Sequence, residues 1–183
     1  MSPRGSPNDY QAQARVGQMI IGAEFMRHAV PTPQAAFTTE DYVVVEAGFY
    51  GAPGQKVKLS VQDFSIRING KKAIPSDQFG VMLSNLKDPS WVPPEPPTPK
   101  SNSGLTANAQ AGPDTPPPPP KMPLPLVHAM QLKVEKAAIP EGERTLPEAG
   151  LLFFACHTQT DKIKSVELIY SGPAGKATLT LNP

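Results

Sequence analysis

The stretch from Val57 to Gly70, VKLSVQDFSIRING, carries the clearest fold signal in the chain. Apolar side chains occupy every second position through most of it, so a strand here has one apolar and one polar face. The stretch ends in Asn69-Gly70, a pair that tolerates the positive φ values of a type I′ turn. It therefore predicts an antiparallel hairpin whose second strand runs from Lys71 to Ile74.

The same alternation extends to both sides of this stretch. Four side chains share one face of a strand that begins at Tyr42 and is predicted to be half-buried: Val43, Val45, Ala47 and Phe49. Residues 18–30, 166–170 and 177–181 also have extended patterns, and residues 151–155 are apolar throughout, which predicts burial on both faces. Short strands joined by Gly/Pro turns predict an all-β fold, an antiparallel β-sandwich of about seven strands.

A proline-rich segment interrupts this pattern. Residues 89–125 hold 14 of the 24 prolines in the chain. Proline fixes φ and lacks an amide donor, so a run such as Pro116 to Pro120 cannot lie within a helix or a paired central strand. We predict one domain over residues 16–183 with a long proline-rich loop inserted at 89–125, preceded by a disordered tail at residues 1–15.

One short helix is predicted after the insert, over residues 125–138. Leu126, Met130 and Val134 recur at helical spacing, and Pro140 would stop the helix. The simplest role of this apolar stripe is to pack on the sandwich, although it could also dock a partner.

Charge and composition exclude several classes of protein. The 17 basic and 16 acidic side chains nearly cancel and are scattered, whereas a nucleic-acid surface needs clustered basic residues. No apolar run is long enough to span a membrane, and residues 1–15 lack the apolar core of a signal peptide. We therefore expect no nucleic-acid partner and no membrane span.

The reactive side chains do not form a recognisable catalytic or metal-binding motif. Cys156 and His157 are adjacent, so on a strand they point to opposite faces and cannot act as a nucleophile and base. Cys156 shares a face with Leu152 and Phe154, which predicts a packed thiol. The three histidines lack ligand spacing, so we expect no metal and no cofactor, and we predict that the protein is not an enzyme.

Trp91 lies between Pro89 and Pro93-Pro94 and is the side chain most suited to a contact. It could anchor the insert to the sandwich or remain available to another protein. A polyproline run could likewise enter an aromatic groove on a partner, or could serve only as a spacer. The residues of this run are Pro116, Pro117, Pro118, Pro119 and Pro120.

Several blocks of sequence together resemble a known type of domain. These blocks are residues 42–46 (YVVVE), 61–70 (VQDFSIRING), 140–143 (PEGE), 150–154 (GLLFF) and 166–170 (VELIY). They resemble the telokin-like, immunoglobulin-like domains of unknown function found in bacterial exported proteins and lipoproteins. The resemblance implies an immunoglobulin-like sandwich and a periplasmic or extracellular location, and it supplies no catalytic residues. The insert and the helix depart from the family's minimal pattern.

Two functions follow as expectations. The first is a non-enzymatic interaction or structural module of the bacterial cell envelope, which contacts a protein partner through its loops or its proline-rich insert. The alternative is a small hydrolase or ligand-binding protein whose site is assembled from sequence-distant residues. For that alternative, the obvious reagents are His28, His128 and Cys156.

Overall fold

A computed structural model describes residues 1–94 and 120–183 of the chain. These residues form a mainly β fold, as the sequence predicts. Within the described ranges the strands are β1 (Ala12–Val16), β2 (Met19–Arg27), β3 (Ala29–Pro31), β4 (Ala36–Thr39), β5 (Tyr42–Tyr50), β6 (Lys56–Leu59), β7 (Phe64–Ile68), β8 (Ile74–Pro75), β9 (Leu86–Lys87), β10 (Gly142–Thr145), β11 (Glu148–Ala155), β12 (Val166–Gly172) and β13 (Gly175–Leu181), and the helices are α1 (Phe79–Met82) and α2 (Leu124–Ala137).

Two four-stranded antiparallel sheets enclose the main core. Their strand orders are β1-β2-β5-β11 and β13-β12-β7-β8. The predicted alternation is confirmed, because the apolar face of β5 meets that of β12 in one buried cluster. Cys156 is buried in the same cluster as Leu152 and Phe154, so the predicted packed thiol is confirmed.

The central strands β5 and β11 are buried on both faces. For β11 this confirms the prediction, but for β5 the expectation of a half-buried strand is wrong. The outer face of β5, which includes Tyr42 and Val44, contributes to a second buried cluster with side chains from both helices. The sheet β3-β4-β9 adds Phe37 and Leu86 to that cluster.

Helix α2 packs on the sheet, as predicted, and begins and ends within one residue of the predicted bounds. Met130 and Val134 are buried in the second cluster. Leu126, which the helical spacing assigned to the same stripe, is instead half exposed. The reason is geometric: two turns of α2 are enough to cover the β5-β11 pair, and Leu126 precedes them.

The Asn69-Gly70 turn forms as predicted. Both residues have positive φ, 53° and 67°, and the Lys71 amide donates to the Ile68 carbonyl at 3.1 Å. The predicted second strand is wrong in its extent, because only Ile74–Pro75 of it pair with β7 and residues 71–73 stay unpaired. Two consecutive lysines in that segment provide no apolar side chain to hold it against the core.

Residues 1–15 do not form the expected disordered tail. Strand β1 begins at Ala12 and pairs antiparallel with β2, and the Tyr10 ring before it is buried. The segment is ordered because two of its side chains, Arg4 and Tyr10, find complementary partners on the sheet.

Strands from both sides of the proline-rich insert pair with each other. β5 pairs with β11, β7 with β12 and β6 with β10, all antiparallel. The chain before residue 94 and the chain after residue 120 therefore build the same sheets.

Candidate functional site

The large apolar side chains that remain exposed share one side of the described structure. They lie on α1, on α2 and in the segment after β9, which are the elements beside the outer face of β5 and β11. We call this area, together with Trp91, the helix-side surface. Its exposed members are Val81, Val92, Leu124, Leu126 and Leu132, with exposed fractions between 50% and 82%.

Trp91 is positioned by a tight turn that follows β9. The Trp91 amide donates to the Asp88 carbonyl at 3.2 Å. The Asp88 carboxylate accepts bonds from the amide and the hydroxyl of Ser90, at 2.8 and 2.6 Å. These bonds lower the pKa of the Asp88 carboxyl. The turn fixes the backbone that connects the end of β9 to Trp91.

Trp91 lines an apolar groove between β9 and α2. The groove has a volume of about 450 Å³ and is lined on the β9 side by Leu83 and Leu86 and on the α2 side by Met122, Val127 and Met130. The Trp91 side chain is partly buried there. This placement agrees with an anchoring role and leaves part of the indole accessible to a partner.

The predicted polyproline contact lies mostly outside the described residues. Pro120 is described and exposed, and Pro116, Pro117, Pro118 and Pro119 are outside the described ranges. Met122 follows Pro120 and lines the same groove as Trp91. The two described ends of the proline-rich segment, at Trp91 and Met122, therefore both line the groove.

A polar cleft of about 590 Å³ lies at one end of the sandwich. Its walls come from the β4-β5 connection and from the loop after β11. In it the imidazole Nδ1 of His157 lies 2.8 Å from the Asp41 carboxylate, and the other ring nitrogen has no hydrogen-bond partner among the described residues. The other side chains lining the cleft are His28, Thr38, Thr39, Glu40, Thr158, Gln159 and Thr160.

In this cleft the His28 ring bridges two main-chain carbonyl oxygens. Its Nδ1 lies 2.7 Å from the Tyr42 carbonyl oxygen and its Nε2 lies 3.1 Å from the Thr158 carbonyl oxygen. The ring thereby ties the start of β5 to the loop after β11.

The three reagents named for the alternative function are not brought together. His28 lines the polar cleft, His128 is exposed on α2, and Cys156 is buried in the main core. Sequence reasoning passed over the Asp41–His157 pair, because the two residues are 116 positions apart. The described residues include no group of three or more histidine, cysteine or acidic side chains that could hold a metal ion.

Comparison with known proteins finds no matching family model, no matching curated protein and no matching solved structure. The resemblance to telokin-like domains therefore stays a prediction. Neither helix in the part of the chain that the structure describes is long and apolar enough to cross a membrane.

Proposed function

We propose that this protein is a non-enzymatic interaction module, an immunoglobulin-like sandwich of about seven core strands that binds a protein partner through its helix-side surface. The observation that carries this proposal is the grouping of exposed apolar side chains on one side of the described residues. Contiguous exposed apolar patches typically mark contact surfaces. The opposite sheet presents a more polar outer face, with Arg67 bonded to Glu167 at 2.7 Å.

Trp91 strengthens this choice of surface. Tryptophan is enriched among the few residues that dominate binding energy at protein interfaces. Here the indole is partly buried beside a groove, so a partner would meet an anchored ring at little cost in side-chain entropy. The sequence of Pro116 to Pro120 supports a second contact, with an aromatic groove on the partner.

We further propose a periplasmic or extracellular location in a bacterium. This part of the proposal is supported by the resemblance of the blocks listed above to domains of exported proteins and lipoproteins. Fractionation of the native cells tests it separately from the binding surface. Recovery of the protein in the cytoplasmic fraction would contradict the location and leave the binding proposal standing.

Variants of the helix-side surface test the binding proposal. The full chain serves as bait in native extract, beside Trp91→Ala and Leu132→Ser. Ile169→Ser is the matched control, because Ile169 is a half-buried apolar residue on the outer face of β12. We expect a partner that wild type and Ile169→Ser retain and that both helix-side variants lose. Retention of the same proteins by all four baits would contradict the proposal.

The polar cleft favours one other function, a ligand-binding protein or small hydrolase. The observation is the Asp41–His157 pair, in which a carboxylate orients an imidazole whose second nitrogen is unbonded within residues 1–94 and 120–183 and is placed to act as a base. Threonine hydroxyls line the same cleft. A panel of ester, amide and phosphoester substrates tests the hydrolase: turnover that His157→Ala abolishes supports it, and inactive wild-type protein contradicts it.

A further inference from the structure

The first ten residues pack against the outer faces of β2 and β5. Gly22 and Gly48 are cross-strand partners in this pair of strands. The Tyr10 ring lies directly on them: a Cβ atom at Gly22 would be 2.6 Å from Tyr10 Cδ2, and one at Gly48 would be 2.7 Å from Tyr10 Cζ. The two glycines therefore form a floor shaped for a flat aromatic ring, which Tyr50 meets edge-on with 6.2 Å between centroids.

Next to this floor lies a pair of carboxylates. Glu24 and Glu46 face each other across the same strands, two residues along from the glycines. Like charges in this position repel each other, and Glu46 is only 3% exposed, so a cation is needed between them. This face thus combines space for an aromatic ring with two carboxylates that bind a positive group.

Arg4 provides that positive group. Its Nε and Nη2 donate to the two carboxylate oxygens of Glu46 at 3.1 and 2.7 Å, and its Nη1 contacts Glu24. The guanidinium carbon also lies 4.5 Å from the centroid of the Tyr10 ring, a cation–π contact. Hydrogen bonding to Glu46 raises the pKa of Arg4, which keeps the guanidinium charged.

The segment 1–10 is held on this face by side chains. Its two main-chain amide–carbonyl bonds are local, from Asp9 to Ser6 and from Tyr10 to Pro7, and the Met1 amino group donates to the Lys136 carbonyl at 2.9 Å. In the described structure no main-chain pair joins the segment to β2 or β5. The Tyr50 hydroxyl donates to the Arg4 carbonyl at 2.9 Å. A segment attached in this way opens at a lower free energy than the paired strands beneath it.

We propose that the outer face of β2 and β5 is a recognition site for a peptide segment that carries an arginine and a tyrosine, and that residues 1–10 fill this site from within the same chain. Charge and shape support this site: two carboxylates pair with a guanidinium, and two glycines leave room for a ring. This site is separate from the helix-side surface. Its failure in a test therefore leaves the proposed function unaffected.

The test uses a fluorescent peptide with the sequence of residues 1–10. The full-length variant Arg4→Ala/Tyr10→Ala empties the site, and far-ultraviolet circular dichroism verifies its fold. We expect saturable binding of the peptide to this variant. Binding to wild type should be at least roughly ten-fold weaker, because the attached segment competes at an effective concentration on the order of millimolar.

Two controls define the chemistry of the site. A peptide with Arg4→Ala should bind at least roughly ten-fold more weakly, since it lacks the bonds to a buried carboxylate. Adding Glu46→Gln to the protein variant should weaken the intact peptide similarly. Lack of saturable binding, or equal binding of the altered peptide, overturns the proposal. If the double variant does not fold, the variant Arg4→Lys replaces it. We then expect Arg4→Lys to bind the peptide more tightly than wild type does. Equal binding by the two proteins overturns the proposal.

Discussion

Gly22 and Gly48 are the residues whose size matters most on the outer face of the sheet. Neither glycine has a positive φ, so the requirement is space for the Tyr10 ring and not backbone freedom. The sequence gives no sign of this requirement, because a glycine within an extended pattern also suggests a bulge. The signal that does exist is the pairing of the two glycines in register, which becomes visible only with the topology.

We expect Gly22→Ala to lower the free energy of unfolding by about 1–3 kcal/mol, the usual cost of forcing a methyl group into an occupied space. Gly80→Ala is the matched control. A Cβ at Gly80 meets nothing within 4 Å, and its φ is not positive, so this change should be neutral or stabilise by up to about 1 kcal/mol. Urea unfolding measures both, and equal stability of the two variants would contradict the packing of Tyr10 on the glycines.

We expect the ionisation of Tyr170 to lower the free energy of unfolding at alkaline pH. Burial raises the pKa of its phenol above the ordinary value of 10.0, so the folded state keeps a proton that the unfolded state loses. Above that pH the unfolded state binds fewer protons, and the free energy of unfolding falls as the pH rises. We expect a lower urea midpoint at about pH 11 than at about pH 9. Tyr170→Phe should reduce this difference, and an unchanged difference would mean that other groups cause it.

Helix α2 contributes to stability through one face. Val134 is fully buried in the second cluster, whereas Leu132, two residues earlier, is 53% exposed. Val134→Ala should cost about 1–3 kcal/mol, because it removes buried methyl groups and leaves a cavity. Leu132→Ala should change stability by less than about 0.5 kcal/mol. Thermal unfolding compares them, and similar losses would contradict the orientation of the helix.

The strands were predictable from the sequence to the extent that their pattern is local. Alternation identifies the inner face of β5, and spacing identifies α2, since both depend on neighbouring residues. The burial of Val44 on the outer face depends on α2, about 80 residues later, which no local pattern encodes. An apolar run over Tyr42 to Val45 is the one sign in the sequence that both faces are covered.

The candidate sites were less predictable than the fold. Trp91 was identified from its proline-rich surroundings, and the structure places it beside a groove. The Asp41–His157 pair joins residues that are 116 positions apart, and the Arg4–Glu46 pair joins residues that are 42 positions apart. Each partner taken alone resembles an ordinary surface charge. Their roles depend on which strands become neighbours, and that is a property of the whole fold.

At the scale of the molecule, the proline-rich segment separates two pieces of one structure. The three pairings β5-β11, β7-β12 and β6-β10 cross it, and the main core draws side chains from both pieces. Neither piece can bury its inner faces alone. Each should therefore lack a cooperative folding transition when expressed separately.

Replacing residues 95–119 by a Gly/Ser linker of the same length should leave unfolding cooperative, with a midpoint close to that of the full chain. The described residues on either side of the replaced range build both buried clusters, the replaced sequence is polar and proline-rich, and closing a loop of equal length costs about the same entropy. Thermal unfolding followed by circular dichroism and by Trp91 fluorescence tests this, since two-state loss requires coincident transitions. A large drop in the midpoint, or two separate transitions, would mean that the replaced residues pack against the sheets.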